Sequence, residues 1–194
     1  MAYGIVVVGT SSGGLKALQT LLSELPANFP LPLVIVQHRG KDSDSDLCEF
    51  LNQASSLPVS EPEDKECLLA GHVYLAPRDY HLLIEEKSFA LSTESPVAFA
   101  RPSIDVLFES AADEYKEHAI GVILTGANRD GARGLARIKT NGGVTLVEDP
   151  ASAAVRIMPD AAIESSNVDH VLQLREIAPF LARMVTSKAE LYAI

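Results

Sequence analysis

Short apolar runs alternate with segments of helical periodicity along most of the chain. Ile5-Val6-Val7-Val8 is an unbroken β-branched run and predicts a buried strand. Gly9-Thr10-Ser11-Ser12-Gly13-Gly14 follows, and Leu15, Leu18, Leu21, Leu22 and Leu25 then recur at helical spacing. Leu33-Val34-Ile35-Val36 predicts a second strand, running out at Gln37-His38. A helix is expected over about 44–54, capped by the Ser and Asp residues of the polar 41–46 stretch, with a short strand at Leu57-Pro58-Val59 after it. Residues 72–76 read as a strand, and 81–85 and 89–92 alternate about Glu86-Lys87 as an antiparallel hairpin does. Ser103 is placed to cap a helix carrying Ile104, Val106, Leu107, Ala111 and Ala112. Strands at 119–124 and 144–147 flank a helix over about 129–140, which Asn141-Gly142-Gly143 stops. Pro159 opens a short helix, and 175–185 forms the last long one.

This alternation predicts an α/β fold: a doubly wound, mostly parallel sheet with helices on both faces and a short antiparallel hairpin. The chain has 194 residues, a comfortable length for one domain, and no repeat, low-complexity tract or linker divides it. No apolar run approaches the roughly 20 residues of a membrane span, and 5–8 is too short for a signal h-region. The net charge of −10 argues against nucleic acid or an anionic membrane as partner, so attraction to an acidic protein would have to be local. Cys48 and Cys67 lack metal spacing and sit among polar residues, which reads as free thiols in a reducing compartment. The histidines and carboxylates show no ligand spacing either, so neither metal nor cofactor is expected.

The chemistry concentrates at the first turn. A strand, a Gly/Ser turn and a helix start offer free N–H groups and a dipole that favour negative charge. The turn lacks the G-x-G-x-x-G spacing of a dinucleotide site, and the next strand ends without the ribose-binding acid. Gly9-Thr10-Ser11-Ser12-Gly13 does fit G-x-S-x-G, with Ser11 central. In open α/β sheets, sites form beyond the carboxyl ends of the strands. Ser11, His38 and Asp130 each follow such an end: a nucleophile, a base and an orienting carboxylate. Their order, Ser…His…Asp, is not that of the α/β-hydrolases. Plainer roles stand beside these: a turn that only starts a helix, a strand-end histidine without a task, and an Asp-Gly capping turn. His81 is the rival base, and His118 is expected late in a helix at the surface.

Several segments together resemble the catalytic domain of the bacterial chemotaxis receptor methylesterases, the CheB family of protein-glutamate methylesterases and glutamine deamidases. They are Val8-Gly9-Thr10-Ser11-Ser12-Gly13-Gly14, Val34-Ile35-Val36-Gln37-His38, Gly71-His72-Val73-Tyr74-Leu75-Ala76-Pro77, Arg101-Pro102-Ser103-Ile104-Asp105-Val106-Leu107-Phe108, Leu124-Thr125-Gly126 with Asp130-Gly131-Ala132, and Asn141-Gly142-Gly143 through Met158-Pro159. The resemblance covers about residues 5–184. It implies a Ser-His-Asp triad of Ser11, His38 and Asp130, with Ser12 at a position of small hydroxyl residues. It also implies hydrolysis of glutamyl methyl esters, with glutamine deamidation open to the same triad. The oxyanion donors are expected in the loop at Ala127 and at the helix start after Ser11.

The chain departs from the family's T-G-M-G-x-D-G: Ala127 stands in place of the Met and Asn128 in place of a Gly. Family members usually carry an N-terminal receiver domain. Here the first strand lies within a few residues of Met1, so a single catalytic domain over 1–194, with no receiver domain in this chain, is expected. The implied partners are the cytoplasmic helices of methylated chemoreceptors, contacted in part by Arg101 and Arg78, and a separate receiver or regulatory protein. The implied location is cytoplasmic, without membrane insertion. Other readings are an esterase-like binding module without turnover and, less well supported, a nucleotide site on the Gly9–Gly14 turn.

Overall fold

A computed structural model describes residues 3–39 and 47–190. Its centre is β1 (Ile5–Thr10), buried along its whole length. β2 (Leu33–Gln37) pairs parallel on one side of it, with Val6 opposite Leu33 and Thr10 opposite Gln37. β7 (Ala119–Ile123) pairs parallel on the other, with Ile5 opposite Ala119 and Gly9 opposite Ile123. With β3 (Val59–Ser60), β4 (Val73–Leu75), β8 (Val144–Glu148) and β9 (His170–Leu172), the order across the seven-stranded parallel sheet is β3-β4-β2-β1-β7-β8-β9. The chain leaves β1 toward β2 and later returns to β1's other edge as β7. That reversal of winding opens a crevice at the carboxyl ends of the central strands.

The period-2 geometry of β1 divides the core in two. Val6 and Val8 face one side, where α1 (Gly14–Ser23), α2 (Leu47–Ala54) and α6 (Leu174–Glu190) bury Leu18, Leu22, Leu51, Ile177 and Leu181. Ile5 and Val7 face the other, under α3 (Ile104–Tyr115), α4 (Ala132–Thr140) and α5 (Ile157–Ser165). The antiparallel hairpin of β5 (His81–Glu85) and β6 (Ser88–Ser92) lies on this second face, where the Ile84 N–H donates to Ser110 Oγ at 3.0 Å. The predicted doubly wound sheet with helices on both faces and one hairpin is therefore what forms.

Differences from the periodicity have local causes. β1 runs on through Gly9-Thr10 because the pairing to β2 and β7 continues past the apolar run. Leu15 is 46% exposed; Gly14 and Ala17 carry the inner face of α1 beside Leu18 and Leu21. β9 was not predicted, as its three residues are too few to show a strand pattern. His118 closes a single 3₁₀ turn, Lys116–His118, rather than a helix end. Pro159 lies in the first turn of α5, where its missing N–H is not needed, two residues after the helix begins. α4 begins at Ala132, not near Arg129, because Asn128 and Asp130 are engaged elsewhere. Cys48, expected among polar residues, also packs partly against the first core cluster, and burial, aided by the Glu61 charge, pushes its thiol up to about 11. The expected start of the second helix near Asp44, with its capping stretch 41–46, lies outside the described residues.

Candidate active site

The register of the sheet brings Ser11 and His38 side by side. Thr10 and Gln37 are paired across β1 and β2, so the next residue on each strand lies at adjacent strand ends, which are ~4.8 Å apart in a parallel sheet. The His38 N–H donates to Thr10 O at 3.0 Å, and the Ser11 N–H donates to Thr125 O at 3.0 Å. Gln37 ties the two residues together: its Nε2 donates to Ser11 O at 3.0 Å and to His38 O at 2.8 Å. Gly13 turns the chain into α1 at φ 82, and a Cβ there would lie 2.7 Å from that of Ala154. The turn is therefore held by backbone and by buried polar side chains, while the Ser11 hydroxyl has no hydrogen-bond partner among the described residues.

Asp130 arrives from the loop after β7 and is 2% exposed. Its Oδ2 accepts from His38 Nε2 at 2.7 Å and from the Ile104 N–H at 2.7 Å. Its Oδ1 accepts from Ser103 Oγ at 2.9 Å and from the Asp105 N–H at 3.0 Å. Burial alone would raise this carboxyl. The hydrogen bonds from His38 and from the Asp105 and Ile104 N–H groups outweigh it and hold Asp130 below the usual carboxylate range. The carboxylate is thus docked on the N-terminus of α3, where free N–H groups point at it. Asp105 makes the reciprocal contact, its Oδ1 accepting from the Gly131 and Gly134 N–H groups at 3.0 and 2.8 Å. The two helix starts therefore hold each other's carboxylates. Burial raises the Asp105 carboxyl against the bond from Gly134.

Asp130 Oδ2 only accepts, so His38 Nε2 carries a proton and Nδ1 presents the lone pair. This is the arrangement a base needs, with the imidazole fixed in one tautomer by a buried anion. Asp130 N in turn donates to Asn128 Oδ1 at 3.2 Å. His38, Asn128, Arg101 and Phe99 line a cleft of about 400 Å³. Phe99, fully exposed, stands on a tight turn with φ 65. A second cavity, of about 580 Å³, is lined by Gly13, Thr125, Lys16, Arg175 and the buried Glu148. No cluster of His, Cys, Asp or Glu able to hold a metal occurs among the described residues.

The sequence matches the CheB methylesterase family over residues 6–181. This chain belongs to that family. A Leptospira interrogans protein, provisionally named a protein-glutamate methylesterase/protein-glutamine glutaminase, is 48% identical over 191 residues, covering 98% of this chain and 99% of that one. The protein-glutamate methylesterase/protein-glutamine glutaminase 2 of Anaeromyxobacter dehalogenans is 44% identical over 173 residues, 89% of this chain; the chain spans 51% of that relative's length. The Thermotoga maritima CheB methylesterase catalytic domain, known from its crystal structure, has the same fold at a TM-score of 0.91. It is 36% identical, over 95% of this chain and 100% of that one.

Against this CheB fold the predicted residues sort clearly. His38 and Asp130 are in direct contact, and Ser11 lies at the neighbouring strand end. Ser12 and Ala127 are exposed beside it, and among the described residues their N–H groups donate to no protein acceptor. Arg101 lines the cleft but is engaged internally. Its Nε and Nη2 donate to Asp79 Oδ1 at 3.1 and 2.6 Å, and its Nη1 donates to the carbonyls of Thr93 and Glu94 at 2.7 and 2.9 Å. Four of the five guanidinium N–H groups are thereby occupied by its own chain. His81 is no base: it is 2% exposed, Nδ1 accepts the Ser103 N–H at 3.2 Å, and Nε2 faces Ser95 O at 3.2 Å. It braces the segment that holds Asp130.

Gln37, Ser103 and Asp105 were missed as site residues. Gln37 stood in the strand-end motif with nothing to mark its amide as a clamp. Ser103 does occupy the helix N-cap, with extended backbone, but makes no capping bond, because its hydroxyl goes to Asp130 instead. Glu148 was also overlooked: it is 1% exposed and its Oε2 accepts the Thr125 N–H at 2.8 Å.

Burial raises the Glu148 carboxyl, against the bond from Thr125. A raised folded pKa contributes stability that is complete below the unfolded value and is lost as pH rises through the folded one. Glu148→Gln keeps an acceptor for Thr125 and removes the buried charge. It is expected to raise the thermal midpoint at pH 7 and to converge with the parent as pH approaches 4, when melts of both are followed by circular dichroism.

Proposed function

We propose that this chain hydrolyses methyl esters of glutamyl side chains on a protein substrate, with Ser11 as nucleophile, His38 as base and acid, and Asp130 as the orienting anion. The observation that carries this reading is the 2.7 Å contact from His38 Nε2 to a fully buried carboxylate, one strand away from the Ser11 hydroxyl, which has no hydrogen-bond partner among the described residues. Attack of Ser11 Oγ on the ester carbonyl delivers its proton to His38 Nδ1. Collapse of the tetrahedral intermediate expels methoxide, which takes that proton and leaves as methanol. Water then attacks the glutamyl-enzyme with His38 again as base, releasing the free carboxylate and restoring Ser11. Glutamine reacts by the same sequence with ammonia as leaving group. The Ser12 and Ala127 N–H groups are the candidate oxyanion donors, since the Ser11 N–H is already held by Thr125 O.

The methylated cytoplasmic helices of chemoreceptors are the proposed substrate, which places the activity in the cytoplasm, and a separate receiver or regulatory protein is the proposed second partner. Among the described residues no helix is long and apolar enough to cross a membrane. The test is methanol release from an enzymatically methylated chemoreceptor fragment, with the mass of the product peptides read alongside. Release of methanol with each ester converted to glutamate is expected. Intact esters, on a preparation that another CheB enzyme does demethylate, would overturn the assignment.

A further inference from the structure

The nitrogen that matters for proton transfer is the one Asp130 does not hold. Nε2 carries the proton toward the carboxylate, and Nδ1 keeps the single in-plane lone pair. That lone pair is not open. Asn128 Nδ2 lies 3.2 Å from it. Which end of the amide faces the ring follows from its other end: Asn128 Oδ1 accepts the Asp130 N–H at 3.2 Å, so the NH2 group points at His38. The base is therefore gripped on both sides by one short segment, the carboxylate of Asp130 at Nε2 and the amide of Asn128 at Nδ1.

We propose that Asn128 is a plug on the general base: its amide occupies the His38 lone pair that Ser11 must use, and an incoming substrate opens the site by drawing that amide away. The proposal rests on the hydrolase reading above. One lone pair accepts one well-aligned donor, so the Ser11 O–H and the Asn128 N–H compete for Nδ1. The Ser11 hydroxyl, which has no hydrogen-bond partner among the described residues, is the counterpart of that competition. Asn128 is half-buried and lines the same cleft as His38, Phe99 and Arg101, so a polypeptide entering there meets its side chain together with the base. A substrate carbonyl in the cleft is an acceptor that can take the amide's proton from Nδ1. Swinging the side chain outward costs only its bonds to His38 and to the Asp130 N–H, and leaves the four bonds onto the Asp130 carboxylate untouched.

The test uses a small sulfonyl fluoride, which needs no receptor contacts. Ser11 Oγ bonds to sulfur, fluoride leaves, and His38 takes the hydroxyl proton. Labelling rates are compared for the parent, Asn128→Ala and Asn128→Gly, with Ser11→Ala as the blank, and the ¹⁵N resonance of His38 Nδ1 is followed in each. Both Asn128 variants are expected to label about three- to tenfold faster, the range set by one neutral hydrogen bond. Their Nδ1 resonance is expected to move toward that of a lone pair without a donor. Unchanged or slower labelling would overturn the plug. Faster labelling with an unmoved Nδ1 resonance would also overturn it, since Asn128 would then act by bulk. If Nδ1 moves but no protein labels, the hydrolase reading has failed and the plug has nothing to gate.

Discussion

Ser11→Ala is expected to abolish methyl ester hydrolysis, with turnover lower by at least about 10⁴-fold, the scale set by removing one member of a nucleophile–base–acid unit. Folding should hardly register the change. The Ser11 hydroxyl makes no hydrogen bond among the described residues, and the turn is kept by the backbone bonds to Thr125 and His38 and by the Gln37 clamp. Thermal unfolding of the variant is expected within about 0.5 kcal/mol of the parent, as for substitutions away from packed or bonded groups. Methanol release and a melting curve on the same sample test both halves. A variant that still turns over at the parental rate would remove Ser11 from the mechanism. One that fails to fold would show that the turn depends on the hydroxyl in a way its unbonded state does not predict.

Asp130→Asn is expected to lose both activity and stability. The Asp130 carboxylate receives four donors: His38 Nε2, Ser103 Oγ and the Ile104 and Asp105 N–H groups. An amide offers one oxygen and one NH2, so one side of the group must turn donors toward donors. If the NH2 faces His38, the ring has to put its lone pair on Nε2 and its proton on Nδ1, where Ser11 needs an acceptor. Turnover then falls by about 10⁴-fold, as when a triad carboxylate is replaced by its amide. The buried N–H left without an acceptor at the start of α3 costs on the order of 1–3 kcal/mol. The reverse orientation strands the Asp105 N–H instead, while the Ser103 hydroxyl can turn to accept, so stability falls either way. The depressed carboxyl of Asp130 also sets the acid limit. Its contribution is complete above the ordinary carboxylate pKa and disappears only as pH falls through the lowered folded value, so mildly acidic solution should not release His38. Parallel melts and rate measurements of Ser11→Ala and Asp130→Asn therefore separate a residue that acts only in chemistry from one that also holds two elements together.

Much of this could be read before the fold was known. The apolar runs at 5–8, 33–36 and 119–124 became β1, β2 and β7, and the residues just beyond them are Ser11, His38 and the loop of Asp130. Parallel strands put successive carboxyl ends on one edge, so strand assignment alone was enough to gather the three. The Arg101 expectation rested on charge, and charge does not say which partner a guanidinium has. Asp79 and the Thr93 and Glu94 carbonyls are the partners that the fold gives it. Ser103 looked like an ordinary cap because its position in sequence was that of one, and nothing local revealed a stronger acceptor in Asp130.

Periodicity, turn chemistry and the strand-end rule thus carried the fold class, the sheet's central strands and the three residues at its edge, because each depends on neighbours within a few positions of the chain. The state of those residues depends on contacts across long separations. Asp130 meets Ser103 and Asp105 over 27 and 25 positions, and His38 meets Asp130 and Asn128 over 92 and 90. Which helix start receives the carboxylate, which tautomer His38 adopts, and that an amide covers its lone pair are set by the packing of α3 against α4 and of β1 between β2 and β7. No local pattern encodes those distances, so they emerge only when the two halves of the sheet close around β1.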